Sequence, residues 1–541
     1  MASSLKASQK GLLIVDIARR RKGWTKTRTL NWWQSARSSQ ATLRRFWRRI
    51  AIDRDTFIAI CQAVDITEWE AVADLEIEYV LPSNQILEQS RNEDNTKRRQ
   101  QDWGNAPDVS GFYGRTKELE TLEQWVTVDR CKLVAILGMG GIGKTSLVVE
   151  LADRVQDQFD YLIWRSLQSA PLLQSLLADL QSFFTQEHDF MIVQNLPRNI
   201  TNIMEYLRKY RCLLILDEME PLFNVCENSP YTQCGNYRVG CEDYGNFLQS
   251  LATERHQSCV ILTSREKPEE VANHEGKDTF VHSLPLRGLE VEDAKNIFRA
   301  KGFTGIENGL AEVIQLYSGS PLALKVTATT IQEVFNNNVG EFLSQNTIII
   351  GDRLRALLQQ QTCSLANSER EIMYWLAIAQ SPISIDWLQA KMLSVPSTSM
   401  IIQLLGSLER RSLLEKIIEE SKTLFTLQPM VMKYFIDELA EQLVNEILEG
   451  IHFQDIHEFR NLRSLDLKSS NSLNSKNAAE SRLLSGLKKS LYTSFRSERA
   501  IIQHFQALLN LLQGNNSSLQ SGYIDSNIQL LLKNLEIDID L

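Results

Sequence analysis

The sequence lacks any hydrophobic run of the length that a membrane-spanning helix needs, which is about 20 apolar residues. Its N-terminal apolar stretch, GLLIV, is short and is followed at once by Asp16, so it does not fit a secretion signal. We therefore expect a cytoplasmic protein without a membrane partner.

Cysteine is also scarce, with 8 residues among 541, and a cytosolic chain of this size is not expected to pair them in disulfides. Cys226, Cys234 and Cys241 lie near one another but lack the C-x₂₋₄-C spacing of zinc sites. The sequence therefore does not favour a structural metal centre. It also contains no internal repeat, which excludes a repeat array within these residues.

Acidic residues are almost missing from the first 50 positions, which hold 13 Lys and Arg against the single acid Asp16. The whole chain nevertheless has a net charge of −9, so its body is acidic. A basic module joined to an acidic body indicates an anionic partner for the module.

One stretch, residues 132–151, places a strand, a glycine-rich loop and a helix in immediate succession. The apolar run at 132–137 predicts the strand, and residues 138–145 fit G-x-x-x-x-G-K-[ST]. The spacing of apolar residues from Ser146 onward predicts an amphipathic helix. This is the context of a phosphate-binding loop.

A polyphosphate ligand explains the residue types of this loop. Glycines let several backbone N–H groups converge on the anion, and the next helix adds its free N–H groups and its dipole. We expect Lys144 to reach the β- and γ-phosphates of ATP, and Thr145 to bind Mg²⁺. The residues predicted to hold the phosphates of ATP or ADP are Gly138, Gly140, Gly141, Ile142, Gly143, Lys144, Thr145 and Ser146.

Five further segments flank the loop in a definite order. They are FYGR at 112–115, FDYLIWRSL at 159–167, CLLILDE at 212–218, SCVILTSR at 258–265 and GSPLAL at 319–324. In this order and spacing, the segments resemble the NB-ARC nucleotide-binding module of the STAND signal-transduction ATPases, which include apoptotic activators and plant resistance proteins. The resemblance covers about residues 108–436 and implies an AAA-like P-loop NTPase.

Two acidic residues are the candidate catalytic groups. Asp217 ends a buried apolar strand, where its carboxylate is placed to hold Mg²⁺ through water beside Thr145. Glu218 would then orient an attacking water. A carboxylate that caps a turn is the structural alternative for Asp217, and a structural role is also an open alternative for Glu218, because members of the resembled family vary at this place.

The resemblance implies nucleotide contacts for four more residues. It includes Arg115 of the FYGR segment, and it makes Arg265 the sensor of the γ-phosphate, a role that suits the donor fork and permanent charge of a guanidinium. A surface salt bridge is the alternative for Arg265. Pro321, at a helix start, would pack on the adenine. Gln428 stands where related switches carry a His that touches the β-phosphate of ADP, and an amide donates a hydrogen bond without a positive charge.

The remaining patterns predict a multidomain chain of class α/β plus α. A small all-α, helix-turn-helix-like domain at 1–80 precedes a polar linker at 81–107, a P-loop domain with a parallel sheet at 108–285 and a helical domain at 286–365. A winged-helix domain follows at 366–436, with helices at 368–380, 384–392 and 400–416 and a wing near 417–427. Residues 437–541 are predicted to be helical, with a mobile loop at 465–481.

The N-terminal module has two open interpretations. Arg44, Arg45, Arg48 and Arg49 share one predicted helix, as in a helix that contacts nucleic acid. In the other interpretation, the module is an adaptor whose charge faces an acidic protein.

The expected function is a nucleotide-dependent switch, closed with ADP and opened by ATP, that is at most a slow ATPase. Activation would lead to self-assembly and release of the N-terminal module. Since many bacterial members of the resembled family continue into WD or pentapeptide repeats that act as the sensor, we expect either a sensor protein in trans or a shortened relative without a sensor. The alternative is an ATP-controlled, DNA-binding transcription regulator; a constitutive motor-like ATPase and a scaffold that has lost hydrolysis are further rivals.

Overall fold

In a computed structural model, the chain forms two compact units, Met1–Asn95 and Thr96–Leu541. The described residues are 4–22, 24, 32, 35, 40–47, 52–66, 69, 72–73, 100–109, 111–185, 195–223, 236–345, 348–393, 397–419, 422–453, 459–470, 484, 486–488, 491–493, 495, 497, 499, 501–506 and 522–536. Among them, no helix is long and apolar enough to cross a lipid bilayer.

The first unit packs helices around buried aromatic side chains. Its helices are α1 (Gln9–Arg21), α2 (Gln40–Trp47) and α3 (Arg54–Gln62). A short antiparallel pair of strands, β1 (Ser4–Leu5) and β2 (Ile52–Asp53), accompanies them. The prediction of an all-α unit is therefore corrected. The sequence could not show this pair, because it joins two-residue segments that lie far apart along the chain.

Of the four arginines predicted to share a helix, Arg45 is exposed on α2. The side chain of Arg44, together with Arg48 and Arg49, lies outside the described residues. Both interpretations of this module therefore stay predictions.

A six-stranded parallel sheet forms the centre of the second unit. Its strands are β3 (Gln100–Asp102), β4 (Leu133–Leu137), β5 (Tyr161–Ser166), β6 (Cys212–Asp217), β7 (Cys259–Ser264) and β8 (Val281–Pro285). They lie in the order β3-β5-β6-β7-β4-β8, and all their pairings are parallel. The sheet is that of a P-loop NTPase, as predicted.

The boundary predicted for the linker needs correction, because β3 falls inside residues 81–107. These three polar residues form the edge strand and pair with β5. A short polar edge strand carries no hydrophobic periodicity, and only the pairing with a distant strand reveals it.

Helices cover both faces of the sheet, which explains why the inner strands are almost continuously apolar. Buried side chains of α4 (Thr116–Glu123) and α5 (Lys144–Val155) pack on one face. Those of α6 (Leu173–Thr185), α7 (Leu196–Lys209) and α8 (Asp243–Thr253) pack on the other, and α9 (Glu269–His274) lies beside α8. Because the strands are parallel, the carboxyl ends of β4, β7 and β6 meet at one edge.

Helices follow the sheet in the order that the sequence predicts. They are α10 (Val291–Arg299), α11 (Leu310–Leu316), α12 (Pro321–Phe335), α13 (Val339–Ser344) and α14 (Asp352–Thr362). Next come α15 (Asn367–Ala379), α16 (Ile385–Lys391), α17 (Thr398–Arg410) and the antiparallel hairpin of β9 (Glu415–Glu419) and β10 (Lys422–Thr426).

Three helices and a hairpin thus occupy the region predicted to be a winged helix, although that classification stays a prediction. The third helix ends at Arg410 rather than at 416, because Ser412 adopts a positive φ of 57° and the chain turns towards β9. This turn lies beside the functional site described below.

The predicted boundary at 436 falls within one helix, α18 (Pro429–Phe453), so the fold has no break there. The segment 465–481 was expected to be a mobile loop, but its described part is packed: Leu465 and Leu467 are buried. The side chain of Asn527, in α20 (Ile524–Glu536), donates to the carbonyls of Leu462 and Leu465 and accepts from the amide of Leu467. Leu462 belongs to the short helix α19 (Asn461–Ser464), and residues 471–483 lie outside the described ones.

Glu371 provides a test of this C-terminal packing. It lines a polar cavity of about 370 Å³ with residues of α15, α18 and α19. Burial raises the pKa of Glu371 above its ordinary 4.5, and the charge of Arg460 acts in the opposite direction. The folded chain therefore holds this proton more tightly than the unfolded chain, so ionisation of Glu371 costs stability as the pH rises through the raised pKa.

We expect Glu371→Gln to raise the free energy of unfolding by about 1 kcal/mol at neutral pH, since the amide removes the cost of a buried charge. The gain should vanish below about pH 4, where the carboxyl group is protonated in both states. Urea unfolding at the two pH values measures this, with Glu312→Gln on the exposed face of α11 as a control. A gain that does not depend on pH would contradict the expectation.

Candidate functional site

The loop between β4 and α5 has the backbone conformation that its glycines predict. Gly138, Gly141 and Gly143 have φ values of 150°, 76° and 102°, and Gly143 precedes the first turn of α5. A Cβ added at Gly141 would come within 2.7 Å of the Leu322 side chain. Glycine is therefore required there both by the positive φ and by a close neighbour.

Lys144 lies within this loop and is 8% exposed. Its ammonium group donates to the carbonyl oxygens of Gly138 at 2.9 Å and Met139 at 3.3 Å, and lies 3.6 Å from a carboxylate oxygen of Glu220. Burial lowers the pKa of Lys144, whereas the negative charge of Glu220 raises it. The lysine is thus held beside the loop, with its charge directed at the site where an anion would bind.

Asp217, the last residue of β6, is hydrogen-bonded both to the neighbouring strand β7 and to the phosphate-binding loop. One carboxylate oxygen accepts from the Thr263 hydroxyl at 2.6 Å and from the Thr145 hydroxyl at 3.0 Å. Burial raises the pKa of Asp217, and the two threonine hydrogen bonds oppose this effect. A buried carboxylate next to a hydroxyl fits a Mg²⁺ ion, which prefers oxygen ligands.

Glu218 follows in a strained backbone conformation, with a φ of 61°. Its amide donates to the Thr263 hydroxyl at 2.9 Å, and its carboxylate accepts from the Ser166 hydroxyl at 3.3 Å. Burial raises the pKa of Glu218, and the charge of Asp217 adds to this effect. A carboxylate with a raised pKa is suited to accept a proton from water.

Arg265, which follows β7, forms an ion pair, as the alternative interpretation of its sequence allowed, but the partner Glu220 was not predicted. Its guanidinium lies 3.4 Å from Glu220 and donates to Gln360 of α14 at 3.3 Å. Glu220 begins a single 3₁₀ turn, Glu220–Leu222. The sequence signal for this pair was an acidic residue three positions after the aspartate that ends β6. The direction of the Glu220 side chain depends on the 3₁₀ turn, which the sequence does not reveal.

The structure brings most of the predicted residues to one cavity of about 260 Å³. Its lining consists of Gly140, Gly141, Gly143, Lys144, Thr145, Ser146, Glu218, Glu220, Thr263, Arg265, Pro321, Leu322 and Lys325. The phosphate loop, the acidic strand end, Arg265 and the start of α12 therefore share one space.

Other predicted residues lie behind this cavity or away from it. Arg115 is buried, donates to the carbonyl of Ile142 at 3.2 Å and pairs with Glu118. It therefore stabilises the backbone of the phosphate-binding loop. Gln428 donates to Glu415 in an exposed hydrogen bond and is absent from the cavity lining. Its proposed contact with ADP stays a prediction.

Two later parts of the chain contact the site directly. The amide of Leu322 donates to the carbonyl of Gly141 at 3.2 Å. The amide of Lys267 donates to the carbonyl of Arg410 at 3.0 Å, and the Ser412 hydroxyl donates to the carbonyl of Arg265 at 3.3 Å. The start of α12 thus rests on the phosphate loop, and the end of α17 rests on the segment that carries Arg265.

Part of the chain matches a known domain family, and several known proteins are similar to the chain. Residues 115–222 match the model of the NB-ARC domain. An uncharacterized WD repeat-containing protein of Nostoc sp. is 38% identical over 486 residues, which cover 83% of this chain and 37% of that protein. A disease resistance-like protein of Arabidopsis thaliana is 28% identical over 229 residues, or 41% of this chain and 17% of its own length.

Among solved structures, a STAND protein with a tetratricopeptide repeat sensor from Pyrococcus horikoshii aligns with a TM-score of 0.32 and 19% identity. This alignment covers 81% of this chain and 63% of the Pyrococcus horikoshii chain. A Walker-type ATPase of Pyrococcus abyssi gives a TM-score of 0.40 and 16% identity, covering 62% of this chain and 99% of its own. The chain spans well under half of the length of both sequence relatives.

Proposed function

Because this chain carries an NB-ARC domain of the STAND class, we propose that it is a molecular switch operated by the exchange of ADP for ATP. In the closed form, ADP sits at the phosphate loop while α12 and the end of α17 rest on the nucleotide-binding domain. Binding of ATP loosens these contacts, exposes surfaces for self-assembly and releases the N-terminal unit as an effector or adaptor.

The two forms must differ in their affinity for the γ-phosphate, since a ligand shifts an equilibrium only by its differential affinity. Lys144 and Arg265 are the cations that would make this difference. Thr145 and Asp217 would hold Mg²⁺, which when bound neutralises phosphate charge. Glu218 would position a water molecule, so that slow hydrolysis returns the switch to its ADP form.

One observation carries this proposal: the backbone around Arg265 is hydrogen-bonded to the end of α17. Lys267 donates to Arg410, and Ser412 donates to Arg265 itself. A residue that moves to meet a γ-phosphate therefore moves a peptide on which another domain rests. This links the identity of the nucleotide to domain position by direct contact.

Hydrogen exchange tests the proposal. We expect Mg²⁺ with a non-hydrolysable ATP analogue to raise amide exchange in residues 265–267 and 410–413 by roughly tenfold relative to ADP, because released contacts lower local protection. The Lys144→Ala variant is the control and should show no difference between the nucleotides. Equal exchange in wild-type protein that binds both nucleotides would argue against a switch.

The partners form a further part of the proposal. The Nostoc relative is a WD repeat-containing protein of which this chain spans 37%, which supports a sensor located outside the residues described here or supplied in trans. We propose a cytoplasmic location, where ATP and ADP are abundant. A role for the N-terminal unit in nucleic-acid binding is the competing assignment, and a salt-dependent shift of duplex DNA at low ionic strength would favour it.

A further inference from the structure

Glu220 occupies an unusual position between the two cations that would read a γ-phosphate. The same carboxylate oxygen lies 3.6 Å from the ammonium of Lys144 and 3.4 Å from the guanidinium of Arg265. Neither Asp217, whose contacting oxygen accepts from two threonines, nor Glu218, which accepts from Ser166, forms such a bridge. Glu220 alone among these three acids thus pairs with both cations.

The backbone holds this carboxylate in place. The preceding residue, Met219, donates its amide to the carbonyl of Thr263, and the carbonyl of Glu220 accepts from Phe223 at 3.1 Å. Leu222, in the same 3₁₀ turn, is fully buried. Because the turn is anchored on both sides, the Glu220 side chain is presented to the cavity at a low entropic cost.

Glu220 weakens the attraction that Lys144 and Arg265 would together exert on a γ-phosphate. One carboxylate shared by two cations offsets part of the positive charge that a phosphate group needs, and both cations already have an acceptor. A γ-phosphate carries more charge and more acceptor oxygens than one carboxylate, so it can replace Glu220 on both cations. ADP lacks that group and has no such means to free Arg265.

We propose that Glu220 is an internal competitor of the γ-phosphate, which sets the threshold at which ATP displaces ADP. This inference rests on the proposed switch and adds to it the residue that biases the closed form. When the γ-phosphate takes Lys144 and Arg265, Glu220 loses both partners. Arg265 is then free to move, together with the peptide that accepts from Ser412.

Nucleotide affinities of the Glu220→Gln variant test the proposal, because the amide keeps the shape and removes the charge. Relative to wild type, we expect the Kd for a Mg²⁺-bound non-hydrolysable ATP analogue to fall about tenfold, a typical size for a coupling between sites. The Kd for ADP should fall by less than about threefold, since ADP gains from the release of Lys144 but does not compete for Arg265. Isothermal titration calorimetry on the full chain measures both constants.

The Glu254→Gln variant is the matched control, since it removes one acid of the same domain that pairs with Arg208 away from the cavity. It should leave both dissociation constants unchanged. Glu220→Asp moves the charge away from both cations and should also lower the Kd for the ATP analogue, by a smaller factor than Glu220→Gln. It replaces Glu220→Gln if that variant fails to fold.

A double-mutant cycle separates competition from a general effect of charge. In the Arg265→Ala background, the gain in ATP affinity from Glu220→Gln should shrink, because one of the two contested cations is gone. An equal gain in both backgrounds, an equal gain for ATP and ADP, or a weaker affinity for ATP would each overturn the proposal. A wild-type protein that binds neither nucleotide would instead refute the proposed switch.

Discussion

Replacement of Lys144 by alanine is expected to weaken the binding of both ATP and ADP by roughly a hundredfold, the size of a lost charge-assisted contact in a buried site. The ammonium is buried in the loop and lies at the cavity that the loop glycines and Arg265 share. Titration of the full chain with each nucleotide measures the change. If nucleotide binding controls signalling, as proposed, signalling should be lost together with binding.

This loss should not result from unfolding. Burial lowers the pKa of Lys144, so the charged lysine carries a desolvation cost that the alanine variant no longer has. We therefore expect the variant to unfold at a temperature close to that of the wild type. Lys295→Ala, which removes a surface pair with Glu292, is the matched control. A Lys144→Ala variant that still binds ATP normally would refute the assignment of the loop.

Replacement of Arg411 by alanine is expected to lower the free energy of unfolding by about 3 kcal/mol, since removal of one partner from a buried polar cluster leaves the others without compensation. Arg411 is 3% exposed and donates to the carbonyl and the hydroxyl of Ser364 at 3.0 and 2.9 Å. It also lies 3.7 Å from Glu266, the residue after Arg265. Denaturant unfolding measures the loss.

The neighbouring residue supplies the control. Arg410 is exposed at the end of α17, and Arg410→Ala removes the same charge while it keeps the main-chain carbonyl that accepts from Lys267. We expect it to change stability by less than about 0.5 kcal/mol. Because Arg411 joins α17 to the segment after β7, its variant should also exchange bound nucleotide faster. Equal stability of the two variants would contradict this role.

The nucleotide site was the part of the protein most open to prediction from sequence. Its strand, glycine loop and helix are contiguous. The strand that ends at Asp217 and the strand that precedes Arg265 are each a short apolar run with a polar end. Local signals of this kind survive in any chain that must bury a parallel sheet. Resemblance predicted that Pro321 packs on the adenine; Pro321 lines the cavity, and its contact with a base stays a prediction.

Features that depend on distant pairing were not predictable in the same way. The edge strand β3 is polar and three residues long, so only its partner β5 defines it. The Glu220 side chain points at Lys144 because residues 220–222 form a 3₁₀ turn. In a different turn, the same residues could place this side chain in solvent. The boundary at 436 was misplaced because Pro429 opens a helix that crosses it, as proline in a first turn can.

The packing of Asn527 has a practical consequence for shortened versions of the chain. Its side chain satisfies three main-chain groups that lie some 60 residues earlier, next to the buried Leu465 and Leu467. A fragment that stops before Ile524 would remove these three hydrogen bonds from a buried region, which costs more than the loss of a surface helix. Crystallisation or expression trials of the nucleotide-binding region should therefore either retain residues through 536 or remove the helix at 461–464 as well.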